Sequence, residues 1–517
     1  MADKNRLLST HLKAEKSLLV DGYDCLILVY WSNQTLKEDF LREAVDTLLQ
    51  IDPSLKTEIA IHVLPSVPAG RLVFAPTGPL DEDYDDVRSF GETAAKGIRR
   101  AIKARFRRPL LYLQKHPTFK NAELVSILGA LESTYVNIQV REYRPDGYPK
   151  LDFLGVYTED FEKTEKLINL ASVLESGRYV ARDIGGADPE RMTPPRIQEY
   201  VEDLFKNTDI KINVISDVDV FSKDYPLFEA VNRAASNIDR HKGRIIYLEY
   251  VPQDPSKITE TLFLVGKGVT YDTGGANIKT GGAMAGMSYD KCGAAAVVGF
   301  FQVVQSLKPE NIRVVGALAV VRNSVGSDAY VSDELIQSRS GALVRVTNTD
   351  AEGRMIMADV LCKLKEEAVH AVNPHLFTIA TLTGHAALSA GEYTIVIDNG
   401  PARKAGTAYK LQNAGEEIGD PFEVSIFRRD ELLFPKGRSD EEDIVQSRQL
   451  ASSARTSRGH QGPAGFLLLA SGLEKHGSAD SKPLKFTHID IAGSAGNFPH
   501  PSTGTPVLAL ANAFLLN

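Results

Sequence analysis

Short apolar runs alternate with segments of helical spacing along this chain, and that alternation constrains its fold more than any other feature. Cys25–Trp31 (CLILVYW) reads as a buried strand, Leu36–Leu49 as a helix, and Arg71–Ala75 as a strand closed by Pro76-Thr77-Gly78. A helix over Gly91–Phe106, a strand over Leu110–Leu113, a helix over Ala122–Glu132 and a strand over Val136–Val140 follow. Phe161–Asp183 keeps helical periodicity and ends at Ile184-Gly185-Gly186, so it reads as a connecting helix. Beyond it, Ile210–Ile215, Arg244–Tyr250, Leu262–Val265, Val314–Val320, Leu343–Val346 and Leu376–Leu382 read as strands with helices between them. Strands alternating with helices predict α/β layers. The expected division is a smaller N-terminal α/β domain over residues 1–160, a connecting helix over 161–183, and a larger C-terminal α/β domain over 184–517.

Composition narrows the class. The 517 residues leave room for roughly two to four domains. With 43% hydrophobic and 24% charged residues, a disordered chain is excluded. A net charge of −8 makes nucleic acid and anionic membrane poor partners by default. Cys25, Cys292 and Cys362 are too scattered for a disulfide framework or a thiolate zinc site, and they fit a reducing compartment. The N-terminal sequence lacks the apolar core of a signal peptide, and no apolar run nears the roughly 18 residues that span a bilayer. The expectation is a soluble, cytoplasmic protein without a membrane partner.

Two charge runs stand out. Lys96–Arg108 holds Lys96, Arg99, Arg100, Lys103, Arg105, Arg107 and Arg108 and no acid. Ile98, Ile102 and Phe106 give it an apolar stripe, so it reads as the solvated face of an amphipathic helix; an RNA- or phosphate-binding strip is the sharper alternative. The acids of Asp81–Asp86 read as a solvated loop or helix start.

The chemistry sits elsewhere. The chain has no His-Glu-x-x-His helix, no Gly-x-Ser-x-Gly elbow and no phosphate-binding loop of the Gly-x4-Gly-Lys type. Its histidines are dispersed, so a metal here would be held by carboxylates. Two segments share a strand–polar loop–helix layout. In Leu262–Cys292, an apolar strand ends at Gly266, and Lys267, Asp272, Lys279 and Asp290 follow among closely spaced glycines. Asp290 is placed at the start of a Gly-Ala-rich helix, Gly293–Gln305. In Val344–Leu361, a β-branched strand runs into Asn348-Thr349-Asp350-Ala351-Glu352-Gly353-Arg354 and then a helix. Asp350 and Glu352, two apart, share a face if the backbone is extended. Such loops lie at the carboxyl ends of strands, where open α/β sheets bind ligands. Converging carboxylates repel and raise one another's pKa, and a dication offsets that repulsion. Oxygen ligands favour Mg²⁺, Ca²⁺ or Mn²⁺. A lysine ligand must first lose its proton. Taken singly, each acid equally fits a helix cap or a surface carboxylate, Lys267 and Lys279 fit solvated loop lysines, and Arg354 fits a helix surface.

At these segments the sequence resembles the leucyl aminopeptidase family of cytosolic two-metal exopeptidases. The heptapeptide Asn348–Arg354 and the stretch Gly266-Lys267-Gly268-Val269-Thr270-Tyr271-Asp272, continued by Gly274-Gly275 and Lys279, carry the likeness. Ala181-Arg182-Asp183, Ala380-Thr381-Leu382-Thr383-Gly384, His488-Ile489-Asp490-Ile491-Ala492-Gly493 and Thr503-Gly504 extend it to the C-terminal end. The resemblance implies that Lys267, Asp272, Asp290 and Glu352 hold one divalent metal and that Asp272, Asp350 and Glu352 hold another, Zn²⁺ or Mn²⁺. It implies that Lys279 polarises the scissile carbonyl and that Arg354 holds a bicarbonate acting as general base. Met287, Thr381, Leu382 and Gly384 match positions that line the substrate site. The implied reaction is removal of N-terminal amino acids, leucine and others, from peptide substrates. The implied assembly is a homohexamer, each subunit having a macro-like N-terminal domain and a catalytic C-terminal domain with a mixed central sheet flanked by helices. Departures cluster around the ligands: Ala283–Met287, Ser288-Tyr289, Lys291, Cys292, His385 and Glu392–Asn399 are atypical. They motivate the alternative of a weakly active or inactive homologue serving as a hexameric scaffold or binding protein.

Overall fold

Six short segments build the first sheet in the computed structural model, which describes residues 7–448 and 455–516. They are β1 (Leu12–Glu15), β2 (Cys25–Tyr30), β3 (Ala60–Val63), β4 (Arg71–Pro76), β5 (Pro109–Leu113) and β6 (Leu154–Tyr157). Their order is β1-β6-β5-β2-β4-β3, all neighbours parallel except β3 with β4. The central strands are buried throughout or nearly so, which is why they read as unbroken apolar runs instead of alternating ones. From β2 the chain passes to β4 on one side; from β5 it passes to β6 on the other. Connections therefore diverge from the adjacent carboxyl ends of β2 and β5.

The first part of the basic run lies on the helix Arg88–Lys103, which ends before the expected Phe106, buries Phe90, Ala94, Ile98 and Ala101 and exposes Lys96, Arg99 and Lys103; Arg105, Arg107 and Arg108 follow it, Arg107 pairing with Asp152. Its charges form a solvated face. One expected strand is overturned. Val136–Val140 leads instead into the helix Ile138–Tyr143. Both neighbours of β5 are already in place, β2 on one side and β6 on the other, so this alternating segment has no ladder to join there.

The second sheet contains β7 (Lys211–Ile215), β8 (Arg244–Tyr250), β9 (Glu260–Asp272), β10 (Ile312–Asn323), β13 (Pro374–Ala380), β14 (Thr394–Asp398), β15 (Phe422–Ser425) and β17 (Lys485–Asp490). The order is β15-β14-β17-β13-β9-β10-β8-β7. Its centre, β17-β13-β9-β10, is parallel, and antiparallel pairs flank it. A small sheet joins β11 (Leu335–Gln337), β12 (Leu343–Arg345) and β16 (Ile444–Val445). Phe263, Val265, Ala317, Met355, Ile356 and Leu376 belong to one core cluster between sheet and helices. Each large side chain buried there contributes about 1.5–3 kcal/mol.

The strand expected to end at Gly266 runs on to Asp272. Gly266 does not stop it; it admits a neighbour. A Cβ there would stand 2.6 Å from the Ala294 Cα, so glycine lets the helix Cys292–Leu307 lie directly on the strand. The described residues through Tyr179, with Ala414–Gly419, form one compact unit; Val180–Asn413 and the described residues from Asp420 onward form another. No described helix is long and apolar enough to cross a membrane.

Candidate metal centre

The carboxyl-end side of the central parallel strands brings four pieces of chain together. β9 carries Lys267 within it and Asp272 as its last residue. The turn Met287–Lys291 presents Asp290 just before the helix Cys292–Leu307. The loop after β12 presents Asp350, and Glu352 opens the helix Glu352–Ala368. The exit of β13 supplies Thr381. Oxygens of Asp272, Asp290 and Glu352 lie within 4.8 Å of one another. Lys267 Nζ is 2.7 Å from Asp290 Oδ1 and 2.9 Å from Glu352 Oε1, and it donates to the Thr381 carbonyl at 3.0 Å. Lys279 Nζ bridges Asp272 Oδ2 at 2.9 Å and Asp350 Oδ1 at 2.5 Å. Gly353 is required by this packing: a Cβ there would meet Lys267 Cε at 2.6 Å.

Surrounding hydrogen bonds aim these groups. Asn323, at the end of β10, donates from Nδ2 to Asp272 Oδ1 (2.7 Å) and to the Thr349 carbonyl (3.1 Å). Tyr330 donates to the same carbonyl at 2.8 Å. The Thr381 hydroxyl donates to Asp290 Oδ1 at 2.8 Å. Gln446 accepts from the amides of Thr347 and Asn348 and donates to the Ala351 carbonyl, pinning the acidic loop.

Charge is strongly perturbed here. Burial lifts the Asp290 carboxyl well above the usual range, Glu352 and Asp272 add to the rise, and Lys267 opposes it. Burial, then Asp272 and Glu352, push Asp350 up to about 7 against the pull of Lys279. Burial works against the charged forms of both lysines, yet the surrounding carboxylates outweigh it and hold both amines above their ordinary value. Burial lowers Arg354 to about 10. Two deep acceptors, Asp290 Oδ2 and Glu352 Oε2, have no hydrogen-bond partner. Orphaned carboxylate oxygens within a closed acidic cluster are what a divalent cation satisfies, so the donor set fits one. A dication would also neutralise the charge that keeps the proton on Lys267.

The model of the cytosol aminopeptidase family, catalytic domain, matches residues 179–511. The chain belongs to this family. A Caenorhabditis elegans protein named "Putative aminopeptidase" is 42% identical, over 99% of this chain and 98% of its own length. A "Probable cytosol aminopeptidase" of Persephonella marina is 29% identical, over 84% of this chain and 82% of its own. The solved structure of the bottromycin maturation enzyme BotP in complex with Mn superposes with a TM-score of 0.76, covering 95% of this chain and 99% of that one at 22% identity. At that identity it speaks to the fold.

Within this cytosol aminopeptidase fold, the residues singled out by sequence sit as follows. Lys267, Asp272, Asp290 and Glu352 are buried together. Asp350 lies outside the tight carboxylate trio and reaches it through Lys279. The extended-backbone reasoning for Asp350 and Glu352 is corrected: Ala351 between them has φ −109° and ψ 38°, and Glu352 is already helical. Arg354 is buried on the same helix, donating from Nη1 to the Gln446 carbonyl at 3.1 Å, while its Nε has no partner. Thr381 touches both Lys267 and Asp290. The Leu382 amide is held by Asp490 at 3.1 Å, Gly384 opens the next helix on the surface, and Met287 is half-buried in the Asp290 turn.

Two atypical residues acquire structural reasons. Lys291 is fully buried and donates to the carbonyls of Ala187 and Ser288, so it ties down the turn that carries Asp290. His385 Nδ1 meets His460 Nδ1 at 2.7 Å, and His460 Nε2 meets Ser425 Oγ at 2.8 Å. Asn323, Tyr330, Gln446 and Asp490 were not singled out as site residues by the sequence; only Asp490 lies in a quoted motif.

Proposed function

We propose that this chain is a metal-dependent aminopeptidase that removes N-terminal amino acids, leucine-like residues among them, from peptides. One observation carries the reading: Lys267, Lys279, Asp272, Asp290, Asp350 and Glu352 converge while two buried carboxylate oxygens lack partners. Membership of the cytosol aminopeptidase family supports the same chemistry.

Asp272, Asp290, Asp350 and Glu352, with Lys267 as a neutral amine, would hold two divalent cations, Zn²⁺ or Mn²⁺. Bound there, such ions supply a Lewis acid and lower the pKa of water. The chain's own residues account for the rest. Lys279 places a fixed positive charge where negative charge develops on the carbonyl oxygen, the preorganised electrostatics that stabilise acyl-transfer transition states. Arg354, buried with a free Nε, would hold a small anion such as bicarbonate as proton acceptor. Asp490 fixes the backbone at Leu382 and the Thr383 hydroxyl, so the segment after β13 can align a peptide main chain. Met287, Thr381 and Gly384 would bound the pocket for the N-terminal side chain. We further propose a homohexameric, cytoplasmic enzyme of two domains per subunit, as the family resemblance implies; light scattering tests the assembly.

The test is hydrolysis of an aminoacyl amide panel by the chain loaded with Zn²⁺ or Mn²⁺. Activity that disappears in Glu352→Ala, together with two ions per chain by elemental analysis, is the expected result. A fully loaded chain inactive across the panel would overturn the reading and leave the scaffold alternative.

A further inference from the structure

We propose that Phe498 is a specificity-determining residue: its exposed ring forms the outer wall of the pocket for the N-terminal side chain and selects peptides that begin with an aromatic or other large apolar residue. The inference deepens the aminopeptidase reading and rests on it. The ring is placed by the stretch that leaves β17. Asp490, the last residue of that strand, holds the Leu382 amide and the Thr383 hydroxyl. Gly493 then lies against the helix Gly384–Ala390: a Cβ there would stand 2.0 Å from the Gly391 carbonyl oxygen and 3.2 Å from the Ala387 Cα. Asn497 donates from Nδ2 to Glu392 Oε1 at 3.0 Å, just past the same helix. Its carbonyl accepts the His500 amide at 2.9 Å, which closes a turn with Phe498 and Pro499 at the tip. The Tyr289 hydroxyl donates to the His500 carbonyl, and Tyr289 directly precedes Asp290. The turn is therefore fastened both beside the helix that begins at Gly384 and to the segment that carries Met287 and Asp290. These are two sides of the proposed pocket for the N-terminal side chain.

Phe498 itself is 58% exposed, although the turn that carries it is tied down. Its root is seated on Gly286, the residue before Met287: a Cβ there would stand 3.2 Å from Phe498 Cβ and 3.8 Å from its Cγ. Gly286 has a φ of +90°, so glycine answers both the backbone and the close approach. The Phe498 and Tyr289 rings meet edge to face, with centroids 6.1 Å and planes 80° apart. The base of the side chain is thus fixed at the turn that carries Met287 and Asp290, while much of the ring stays open. A fixed, open ring at the edge of a substrate pocket recognises by apolar area, and an aromatic partner adds edge-to-face or offset-stacked attraction. Polar groups of the turn are engaged already, Asn497 with Glu392 and the His500 carbonyl with Tyr289. What the turn offers a ligand is the ring. That defines the ligand as a peptide with a large apolar first side chain and gives a small or charged one no partner.

The experiment is calorimetric titration of the metal-loaded full chain with L-phenylalanine hydroxamate and L-alanine hydroxamate, which share a metal-chelating end and differ in side chain. The wild type should bind the phenylalanine compound about tenfold or more tighter, the discrimination that pocket contacts support. Phe498→Ala should weaken the phenylalanine compound about five- to tenfold more than the alanine one, the worth of an aromatic contact. Phe498→Tyr, which keeps the ring, should restore the preference. In turnover, Phe498→Ala should raise KM for phenylalanine p-nitroanilide more than for alanine p-nitroanilide. An equal loss for both hydroxamates would reduce Phe498 to a support of the turn that carries Asp290 and overturn the proposal. So would an unchanged preference, or a Phe498→Tyr variant that fails to restore it. A Phe498→Ala effect confined to the second residue, seen with Ala-Phe amide against Ala-Gly amide, would overturn the assignment to the N-terminal side chain. The aminopeptidase reading fails separately, by absence of hydrolysis from the loaded wild type, because the hydroxamate preference is read without turnover.

Discussion

Gly353→Ala tests whether packing against Lys267 sets the metal centre. The added Cβ would lie 2.6 Å from Lys267 Cε and 2.8 Å from both Cδ and Nζ. Ordinary contact begins near 3.4 Å, so the lysine must retreat by about 0.8 Å. It has little freedom to do so. Lys267 is 3% exposed, and its Nζ is held by Asp290, Glu352 and the Thr381 carbonyl. Misplacement of a reacting constellation by about 1 Å costs roughly 100-fold in rate. We therefore expect kcat/KM for an aminoacyl p-nitroanilide to fall about 100-fold at saturating metal.

The fold should hardly notice. Alanine in place of glycine favours a helix by about 1 kcal/mol, while overpacking costs about 1–3 kcal/mol. The two nearly cancel, so the thermal midpoint should move by less than about 5 °C. A second arm isolates the cause. In a Lys267→Ala background the clash is gone, and Gly353→Ala should raise stability by about 1 kcal/mol. Full activity in the single variant would refute the packing argument. Unfolding would show that the backbone yields and not the lysine, and would refute it too.

Other outcomes follow from the same geometry. Asn323→Ala removes one of the two hydrogen bonds to Asp272 Oδ1, leaving that from the Gly274 amide, and should weaken metal affinity about tenfold by calorimetry, with an unchanged circular dichroism spectrum. Lys279→Met should lower kcat by about 100–1,000-fold while bound metal, measured by elemental analysis, stays at wild-type content. Asp359 reports pH. Burial lifts it to about 7, although it accepts the amides of Leu227 and Arg339. Between about pH 4, where an unfolded aspartate titrates, and about pH 7, the native state holds a proton that the unfolded state has lost. This group's contribution to stability therefore declines as pH rises through that window. Asp359→Asn should flatten the decline in urea midpoint, and an unchanged slope would contradict the assignment.

The sequence made some of this legible and hid the rest for physical reasons. β2, β4 and β5 are buried almost throughout, so apolarity alone marked them. β17 was invisible to the same criterion because three of its five buried positions, Thr487, His488 and Asp490, are polar and bond to groups on neighbouring segments. Thr487 donates to Asp398, and His488 shares a hydrogen bond with Thr378. β3 is only partly buried and carries no strong pattern. At the site, the acids within two short motifs could be read together because each motif is one strand–loop–helix turn. Asn323 and Tyr330 reach the same loop from the end of β10 and the segment after it. No local spacing connects them to Asp272 or Thr349. Asp350 shows a different limit: an extended backbone was the reason for giving it a shared point with Glu352, whereas Ala351 between them has φ −109° and ψ 38° and Glu352 starts a helix.

The position of Asp350 bears on how two cations would differ. Asp290, Asp272 and Glu352, with Lys267, have side chains at most 7% exposed. Asp350 is 32% exposed, and Lys279 beside it 15%. The centre thus has a closed inner half and an open outer half. An ion on the inner side would sit among three buried carboxylates, whereas an ion beside Asp350 would lie at the more exposed edge, next to the Lys279 ammonium. Exchange against excess Mn²⁺ should therefore proceed in two phases, the fast one sensitive to Asp350→Asn and the slow one not. A single exchange rate for both ions would mean that the exposure difference does not govern access. The buried ammonium of Lys267 strengthens the argument. An ion-paired lysine this deep gives little net stability over an apolar side chain of its size, so the pair is explained better by what Lys267 can bind once its proton leaves.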